Sequence, residues 1–554
     1  MRVVVIGAYG VFGSRLLELL KRDGHDLWAA GRDRRWTEDC AARFGAQSLH
    51  VDLAVDLSPI LAAAPQVVVD AAGPYQFYGS DPYKVARFCV DNGIHYLDLS
   101  DDADFTAGIG ALDAQAIAAG CFVLSGASSV PGLSSAAVRA LADGLDEIVL
   151  IETAILPGNR IPRGKAVMAS ILDQVGRRSK TWRGGMWRDT RCWTDRRRYR
   201  LMDGPVRGAW FIRVPDIQLF PRFFAARSVM FRAGMELPAL NLGIATLALL
   251  RRWRLLPDGR RIAAPARWLA GLLEPFGTDR GGMVVHVVGG VVGTEGDRPV
   301  RRRWELLADA GSGPFIPTVA VRTLLRHADR IRPGARPCLA ETTLAEMEAA
   351  TSDLPVTTRR QAEPWPTLFQ RALGETWREL PPAVRRLHSV QDVETFSGLA
   401  RVDRGKNALA RFAAWFFRFP FEGDGVPLTI TKTRTASGET WERRFAGRVF
   451  RSYLTPARQP GRFRERFWLF NYEQDLPVAG GVLHLPVRRG WVLGVPIPKA
   501  LLPWSDSREL EIDGVFHFDV TLGAPLGGGV IVRYRGSVTP DAPDPEPLDA
   551  TGRG

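Results

Sequence analysis

Residues 2–20 read RVVVIGAYGVFGSRLLELL, an apolar run followed by a glycine-rich loop and a segment with helical periodicity. Glycine at positions 7, 10 and 13 lets backbone amides approach a pyrophosphate that a side chain would keep away. The helix start beyond the loop offers free N–H groups and a positive dipole end to the phosphates. A loop of this kind between a first strand and a helix predicts a dinucleotide-binding Rossmann domain, although its spacing is G-x-x-G-x-x-G rather than G-x-G-x-x-G. We assign to the cofactor the loop residues Gly7, Ala8, Tyr9, Gly10, Val11, Phe12 and Gly13.

The residue that follows the second strand selects between the two nicotinamide cofactors. An acidic residue there holds the ribose hydroxyls of NAD, whereas an arginine can pair with the 2′-phosphate of NADP. Residues 29–35 read AAGRDRR, so Arg32 stands at the selecting position and Asp33 competes for the ribose. This pattern favours NADP. Asp52, near the end of the third strand, is expected either to meet the adenine edge or to be a solvated loop carboxylate.

The fourth strand ends in DAAGPYQFYG, residues 70–79, and in this fold that loop lies beside the nicotinamide. Small residues at Ala72 and Gly73 permit close approach of the cofactor, and Pro74 stiffens the turn, so we count all three as cofactor residues. The phenols of Tyr75 and Tyr78 are candidates for an acid or a hydrogen-bond donor to the substrate. Packing is the alternative role for both tyrosines, so the catalytic residue stays open.

The chain divides into regions of different periodicity. Short apolar runs alternate with helical stretches over residues 1–135, as in βαβ units of a parallel sheet. Residues 136–350 are mixed and predict an α+β substrate or dimerisation domain. The polar stretch TSDLPVTTRRQAEPWP at 351–366 predicts a linker, and alternating segments over 366–540 predict a mainly antiparallel β domain. The overall fold class is therefore α/β followed by a β-rich domain, with a disordered tail predicted at 541–554.

Composition and charge narrow the function classes. The 554 residues carry 73 Lys or Arg against 60 Asp or Glu, a net charge of +13. The excess is mostly arginine and no RNA- or DNA-reading motif accompanies it, so we expect no nucleic-acid partner. Five scattered cysteines form no C-x-x-C pair and the eight histidines lack ligand spacing, which argues against disulfides and a metal site. The first strand begins without a signal peptide, so a cytoplasmic location is expected.

One apolar segment raises the question of membrane contact. Residues 237–250 read LPALNLGIATLALL and are followed by arginines at 251, 252 and 254. The segment is shorter than the ~20 residues that span a bilayer. Two interpretations stay open: a buried helix, or a helix that lies on a membrane surface with its arginines at the lipid phosphates.

Several motifs in fixed order resemble the saccharopine dehydrogenase-like family. They are GAYGVFG at 7–13, AAGPYQFYG at 71–79, HYLDLSDD at 95–102, SGASSVPGLSS at 125–135, DRGGMVVHVVGG at 279–290 and GSGPFIPTVAV at 311–321. The resemblance implies an NADP-dependent oxidoreductase and a homodimer. Asp101 and Asp102 depart from the family, in which a glycine and a glutamate tend to follow the serine, so no substrate role is carried over to this loop.

Residues 365–540 resemble a domain of unknown function that is often fused behind this type of reductase. The matching stretches are LGETWRELPPAVRRLH at 373–388, FSGLARVDRG at 396–405 and VRYRG at 532–536. No activity follows from this resemblance. Aromatic residues such as Trp441 and Phe518 suit either a packed core or a cup around an apolar ligand.

Together these features predict hydride transfer to or from a hydrophobic or lipid-like small molecule, with the cofactor supplying the chemistry. Two alternatives belong to other classes. A non-catalytic NADP-binding sensor or scaffold would explain why no catalytic triad or tyrosine–lysine pair is evident. A peripheral lipid-binding protein would retain the Rossmann part as structure only.

Overall fold

The computed structural model describes residues 1–162, 164–253, 271–290 and 299–544. Six strands of the N-terminal domain come from its first 125 residues: β1 (Arg2–Ile6), β2 (Asp26–Gly31), β3 (Gln47–His50), β4 (Val67–Asp70), β5 (His95–Asp98) and β6 (Phe122–Ser125). The helices between them are α1 (Val11–Arg22), α2 (Arg34–Phe44), α3 (Pro59–Ala62), α4 (Lys84–Asp91), α5 (Ala103–Gly108) and α6 (Asp113–Ala118). The strands are parallel in the order β6-β5-β4-β1-β2-β3, which confirms the predicted Rossmann architecture.

The sheet gains a seventh strand from a distant part of the chain. Gly334–Pro337 pairs in parallel with β6 at the sheet edge. The helix at Ile316–Arg326 packs on α1, where Arg322 is paired with Asp23 at 2.7 Å. The sheet therefore includes a strand from outside the predicted range 1–135, because non-local pairing adds a strand that no local pattern marks.

The second domain is a mixed sheet covered by helices, as the α+β prediction requires. Its strands are β7 (Glu147–Leu156), β8 (Arg178–Arg183), β9 (Met186–Arg191), β10 (Arg197–Arg200), β11 (Val206–Phe211), β12 (Val229–Ala233), β13 (Gly281–Gly290), β14 (Val300–Ala308) and β16 (Val356–Pro364). The intervening strand β15 (Gly334–Pro337) is the seventh strand of the N-terminal sheet. Its helices are α7 (Ser134–Ala142), α8 (Lys165–Gln174), α9 (Pro215–Phe223), α10 (Pro238–Arg252), α11 (Ile316–Arg326) and α12 (Leu344–Ala349). The main sheet order is β10-β11-β12-β7-β13-β14-β16.

The predicted linker at 351–366 is wrong in its central part. Strand β16 pairs with β14 over nine residue pairs, from Val300 with Pro364 to Ala308 with Val356. It is the edge strand of the second sheet. Its polar side chains are therefore those of an exposed edge strand rather than of a structureless connection.

Helix α10, which carries the apolar segment 237–250, lies on the surface of the second domain. Ile244 and Ala248 are buried against the core, whereas Leu242 is 69% exposed. The structure therefore shows a helix with one packed face rather than a fully buried one. Among the described residues, no helix is both long and apolar enough to cross a membrane.

The C-terminal domain is an antiparallel sheet of thirteen strands, which confirms the predicted β-rich class. They are β17 (Val393–Arg404), β18 (Gly423–Arg434), β19 (Glu439–Phe445), β20 (Arg448–Pro456), β21 (Arg462–Phe467), β22 (Phe470–Asp475), β23 (Val478–Ala479), β24 (Val482–His484), β25 (Val487–Val492), β26 (Val495–Pro496), β27 (Trp504–Ile512), β28 (Val515–Gly523) and β29 (Val530–Pro540). Three helices accompany them: α13 (Leu368–Leu373), α14 (Pro382–His388) and α15 (Ala408–Phe416).

Residues 482–487 close this sheet into a barrel. Leu483 pairs with Glu509 of β27, and Val487 pairs with Gln474 of β22. This segment thus joins the two ends of the strand order, with two residue pairs between β24 and β27, and alternating side chains of the strands point into the interior.

The start of the predicted tail is bound to the second domain. Asp544 donates its N–H to the Gly185 carbonyl at 2.8 Å and accepts a hydrogen bond from the Trp187 N–H at 3.1 Å. The ordered chain therefore extends past residue 541, and the rest of the predicted tail, 545–554, lies outside the described residues.

Candidate active site

The glycine-rich loop is held by contacts that only glycine permits. Gly7 has φ +74°, and a Cβ there would lie 2.8 Å from the Ala71 carbonyl oxygen. A Cβ at Gly13 would lie 2.3 Å from the Gly7 carbonyl oxygen. Gly10 is less restricted, since its Cβ would meet that oxygen at 3.0 Å. Packing thus requires glycine at the first and third positions, whereas the role of Gly10 at the cofactor stays a prediction.

The N-terminus of α1 has the features of an anion site. The helix begins at Val11, directly after Gly10, without a side-chain cap and without an acidic residue in its first turn. First-turn N–H groups of a helix have no intrahelical acceptor and lie at the positive end of its dipole. The backbone N–H groups of the loop at 7–13 and of the first turn of α1 therefore fit a dinucleotide pyrophosphate, as the sequence predicts.

Arg32 and Asp33 have different roles at the end of β2. The Asp33 carboxylate caps α2 by accepting a hydrogen bond from the Trp36 N–H at 3.0 Å. Arg32 is exposed, and its carbonyl oxygen lies 2.9 Å from the His50 ring nitrogen. The capping bond engages Asp33 Oδ1, and the assignment of the exposed Arg32 guanidinium to a 2′-phosphate stays a prediction.

Tyr9 lies beneath this corner of the site. A Cβ on Gly31 would meet the Tyr9 ring at 2.4 Å, so the ring packs against the end of β2. Asp52 lies on the neighbouring strand end, where its carboxylate accepts a hydrogen bond from the Ala54 N–H at 2.9 Å. Its carboxylate therefore stabilises the turn at 52–54, and the choice between the two predicted roles stays open.

Tyr75 and Tyr78 are both bound to Asp70, the last residue of β4. The Tyr75 hydroxyl donates to the Asp70 carbonyl at 2.7 Å and accepts from the Leu99 N–H at 3.1 Å. The Tyr78 hydroxyl donates to the Asp70 carboxylate at 2.9 Å. Burial raises the pKa of both tyrosines well above 10. These hydrogen bonds give the phenols a structural task in fixing the loop that carries Ala72, Gly73 and Pro74.

Asp98, the last residue of β5, holds the adjacent turn. Its Oδ1 accepts hydrogen bonds from the Ser100 N–H, the Ser125 hydroxyl and the Gly126 N–H at 2.8–3.0 Å. Its Oδ2 has no hydrogen-bond partner among the described residues. Burial raises the pKa of Asp98 to about 7 and that of Asp70 to about 6. Two buried carboxyls thus fix the loops at the carboxyl ends of β4 and β5.

A cleft of about 310 Å³ opens between these loops and the second domain. On the Rossmann side its walls include Phe12, Gly73 and Pro74. On the other side they include Ile155 of β7 and Met283 of β13. The cleft thus begins at the loop assigned to the nicotinamide and continues across an apolar surface. Its described lining is mostly apolar and contains no lysine or arginine; the polar members are Tyr75, Asp101, Ser128, Ser129 and Ser170.

Asp101 is the titratable carboxyl on the wall of this cleft. The residue lines the cleft and is exposed to solvent. Desolvation by the cleft wall and the charge of the neighbouring Asp102 raise the pKa of Asp101 to about 6. The sequence marked this residue only as a departure from the family pattern, and periodicity gave no signal that it would line the cleft.

Two family models match this chain. Residues 3–124 match the saccharopine dehydrogenase NADP binding domain, and residues 380–538 match a domain of unknown function, DUF4166. These matches confirm the predicted resemblance, the predicted fusion and the assignment of NADP as cofactor. No curated protein matches the chain.

Two solved structures show the extent of the structural likeness. An apo saccharopine dehydrogenase (L-Glu forming) from Saccharomyces cerevisiae is 15% identical, with 65% of this chain and 99% of that one covered at a TM-score of 0.47. GenD2 from gentamicin A biosynthesis, solved in complex with NAD, is 19% identical, with 56% and 73% covered at a TM-score of 0.27. At these scores neither structure bears on the substrate of this chain.

Proposed function

We propose that this NAD(P)-dependent oxidoreductase, whose residues 3–124 match the saccharopine dehydrogenase NADP binding domain, acts on a hydrophobic carbonyl or unsaturated substrate with NADP(H). The observation that carries the proposal is the apolar cleft of about 310 Å³ that starts at Gly73 and Pro74. A substrate rich in charge would need cationic or acidic partners along that wall. The described lining offers one carboxyl, Asp101, at its cofactor end.

The residues of the Rossmann domain divide the binding of the cofactor between them. The loop at 7–13 and the start of α1 hold the pyrophosphate, and Arg32 pairs with the 2′-phosphate. The loop at 72–74, which lines the mouth of the cleft with Gly73 and Pro74, would hold the nicotinamide. When bound, the nicotinamide supplies or accepts the hydride, and the apolar walls exclude water from the transfer.

Asp101 is the residue we assign to proton transfer. A carbonyl reduced by hydride needs a proton on its oxygen, and the Asp101 carboxyl lies on the wall of the same cleft. A pKa of about 6 keeps part of this carboxyl protonated near neutral pH, which suits a general acid. Tyr75 is a positioning residue for the loop at 72–74, because its hydroxyl already bridges Asp70 and Leu99.

A substrate-class experiment tests this proposal. NADPH consumption is measured with a medium-chain aldehyde, a medium-chain 2-enal and, as the charged comparison, 2-oxoglutarate with lysine. Turnover is expected with an apolar substrate and not with the charged pair. Turnover confined to the charged pair would show that the cleft does not set the substrate class.

A matched pair of variants ties any turnover to the cleft. Ile161 lines the cleft and is half-buried, so Ile161→Asn introduces an amide into its wall. We expect kcat/KM for the apolar substrate to fall about tenfold or more, since desolvating the amide costs above 1.4 kcal/mol. NADPH affinity stays unchanged. The same change at Ile117, 57% exposed on α6, is the control and leaves both quantities at wild-type values.

A further inference from the structure

The C-terminal barrel has one end that points away from the rest of the chain. Strand pairing brings the ends of ten strands to it, as in Trp504 with Gly523, Phe445 with Arg448, and Phe467 with Phe470. We call this end the distal rim. It comprises residues 405–422, 446–447, 468–469, 493–503 and 524–530, which connect those strands.

The other end of the barrel is fixed to the second domain. Arg227 pairs with Glu394 at 2.7 Å, and Arg188 donates to the Thr395 hydroxyl at 3.0 Å. Glu394 and Thr395 lie near the start of β17. Arg404, the last residue of that strand, lies at the distal rim. The start of β17 thus marks the barrel end that contacts the second domain, and the end of β17 marks the opposite barrel end.

Large apolar side chains are exposed on every long segment of the distal rim. Trp415 is 66% exposed on α15, Trp468 is 68% exposed on the β21–β22 turn, and Leu526 is 76% exposed before β29. Scattered apolar residues are ordinary on a protein surface, but a set gathered from separate loops at one end marks an interaction site. The other exposed members are Leu409, Phe412, Phe421, Leu469, Leu493, Val495, Leu501 and Val530.

Cations accompany these side chains. Lys406, Arg411 and Arg418 are exposed within the segment that carries α15, and Lys499 is exposed on the segment before β27. Acidic residues are fewer within the rim, where Glu422 is the exposed example. The rim therefore combines tryptophan and phenylalanine tips with a net positive charge, which is the combination that suits the headgroup region of an anionic bilayer.

The interior of the barrel supports a lipid surface over a protein partner. A cavity of about 150 Å³ runs inside the barrel between mainly apolar side chains. Phe417 and Phe467 line it at the distal end, and Trp504 lines it there with 43% of its surface exposed. An apolar cavity that reaches the rim gives a hydrocarbon chain a path from the surface into the barrel.

We propose that the distal rim docks on an anionic membrane surface, with its aromatic tips in the headgroup region and its cations at the lipid phosphates. The contact is made by loops and by one short helix, so it is peripheral. It is a different surface from the apolar face of α10, and it does not depend on the proposed substrate of the Rossmann domain.

Vesicle sedimentation of the full chain tests this proposal. The vesicles contain phosphatidylcholine alone or phosphatidylcholine with phosphatidylserine, at low and high salt. The rim variant carries Phe412→Ala, Trp415→Ala and Trp468→Ala. The control variant carries Leu399→Ala, Tyr453→Ala and Ile512→Ala, which are exposed on the wall and the opposite end of the barrel. Thermal unfolding confirms that all three proteins are folded, and light scattering without vesicles gives their oligomeric state.

We expect wild type and control to sediment with the anionic vesicles and to be partly released by salt, whereas the rim variant binds at least tenfold more weakly. Absence of wild-type binding to either vesicle would overturn the proposal. So would a rim variant that binds like wild type. A wild-type dimer that becomes monomeric in the rim variant, without vesicle binding, would assign the rim to self-association instead. NADPH affinity should be equal in all three proteins, so these outcomes are independent of the reductase assay.

Discussion

Replacement of Asp98 by asparagine should make the stability of the Rossmann domain less sensitive to pH. Asp98 is fully buried, and burial raises its pKa from 3.8 to about 7. A carboxyl with a raised native-state pKa binds its proton more tightly in the folded protein. Its unfavourable contribution is therefore absent at low pH, grows as the pH rises from about 4, and is complete above about 7.

The magnitude follows from the size of the change in pKa. One pKa unit corresponds to 1.36 kcal/mol, so the full cost above pH 7 is about 4 kcal/mol, of which about 2–3 kcal/mol accrues between pH 5 and pH 8. Asparagine keeps an acceptor oxygen for the Ser100, Ser125 and Gly126 donors. Its amide nitrogen takes the place of Oδ2, where the described residues offer no partner, and this costs about 1–3 kcal/mol at every pH.

The assay is urea unfolding of wild type and Asp98→Asn at pH 5 and pH 8. Relative to wild type, the free energy of unfolding of the variant should rise by about 2–3 kcal/mol from the lower to the higher pH. Asp91→Asn, at an exposed carboxyl on α4, controls for removal of a charge. A difference between wild type and Asp98→Asn that stays constant with pH would refute the assignment of a buried, largely protonated carboxyl.

Three further predictions concern the cofactor and the cleft. Arg32→Ala should weaken NADPH binding about tenfold or more in a fluorescence titration and leave NADH binding unchanged, because a charge-assisted bond to the 2′-phosphate contributes about 1.5–3 kcal/mol. Equal losses of affinity for both cofactors would contradict the role of Arg32. Gly13→Ala should lower the unfolding temperature and NADPH affinity together, since its Cβ would lie 2.3 Å from the Gly7 carbonyl oxygen, whereas Gly10→Val should lose affinity with the fold largely retained. Asp101→Asn should reduce kcat, keep the Kd of NADPH and remove the fall in activity as the pH rises through about 6; a pH profile like that of wild type would exclude Asp101 as the acid.

The sequence alone was sufficient for features that depend on neighbouring residues. The apolar run at 3–6, the glycines at 7, 10 and 13, and the position of Arg32 after β2 are local patterns, and each has a local physical requirement. Glycine is needed where a Cβ would meet backbone within 3 Å, as at Gly7 and Gly13. The cofactor class and the Rossmann start could therefore be predicted before any tertiary contact was known.

Tertiary structure decided what depends on residues far apart in the chain. The seventh Rossmann strand comes from Gly334–Pro337, and the polar stretch predicted as a linker pairs as β16 with β14. Neither strand has a distinctive local pattern. Each forms because it pairs with a sheet edge that strands distant in the sequence leave open. Asp98 is likewise buried by segments distant in the sequence, with Ser125 and Gly126 as hydrogen-bond partners, and burial rather than residue type raised its pKa. A carboxyl in a sequence carries no record of its desolvation, which arises only when distant segments pack around it.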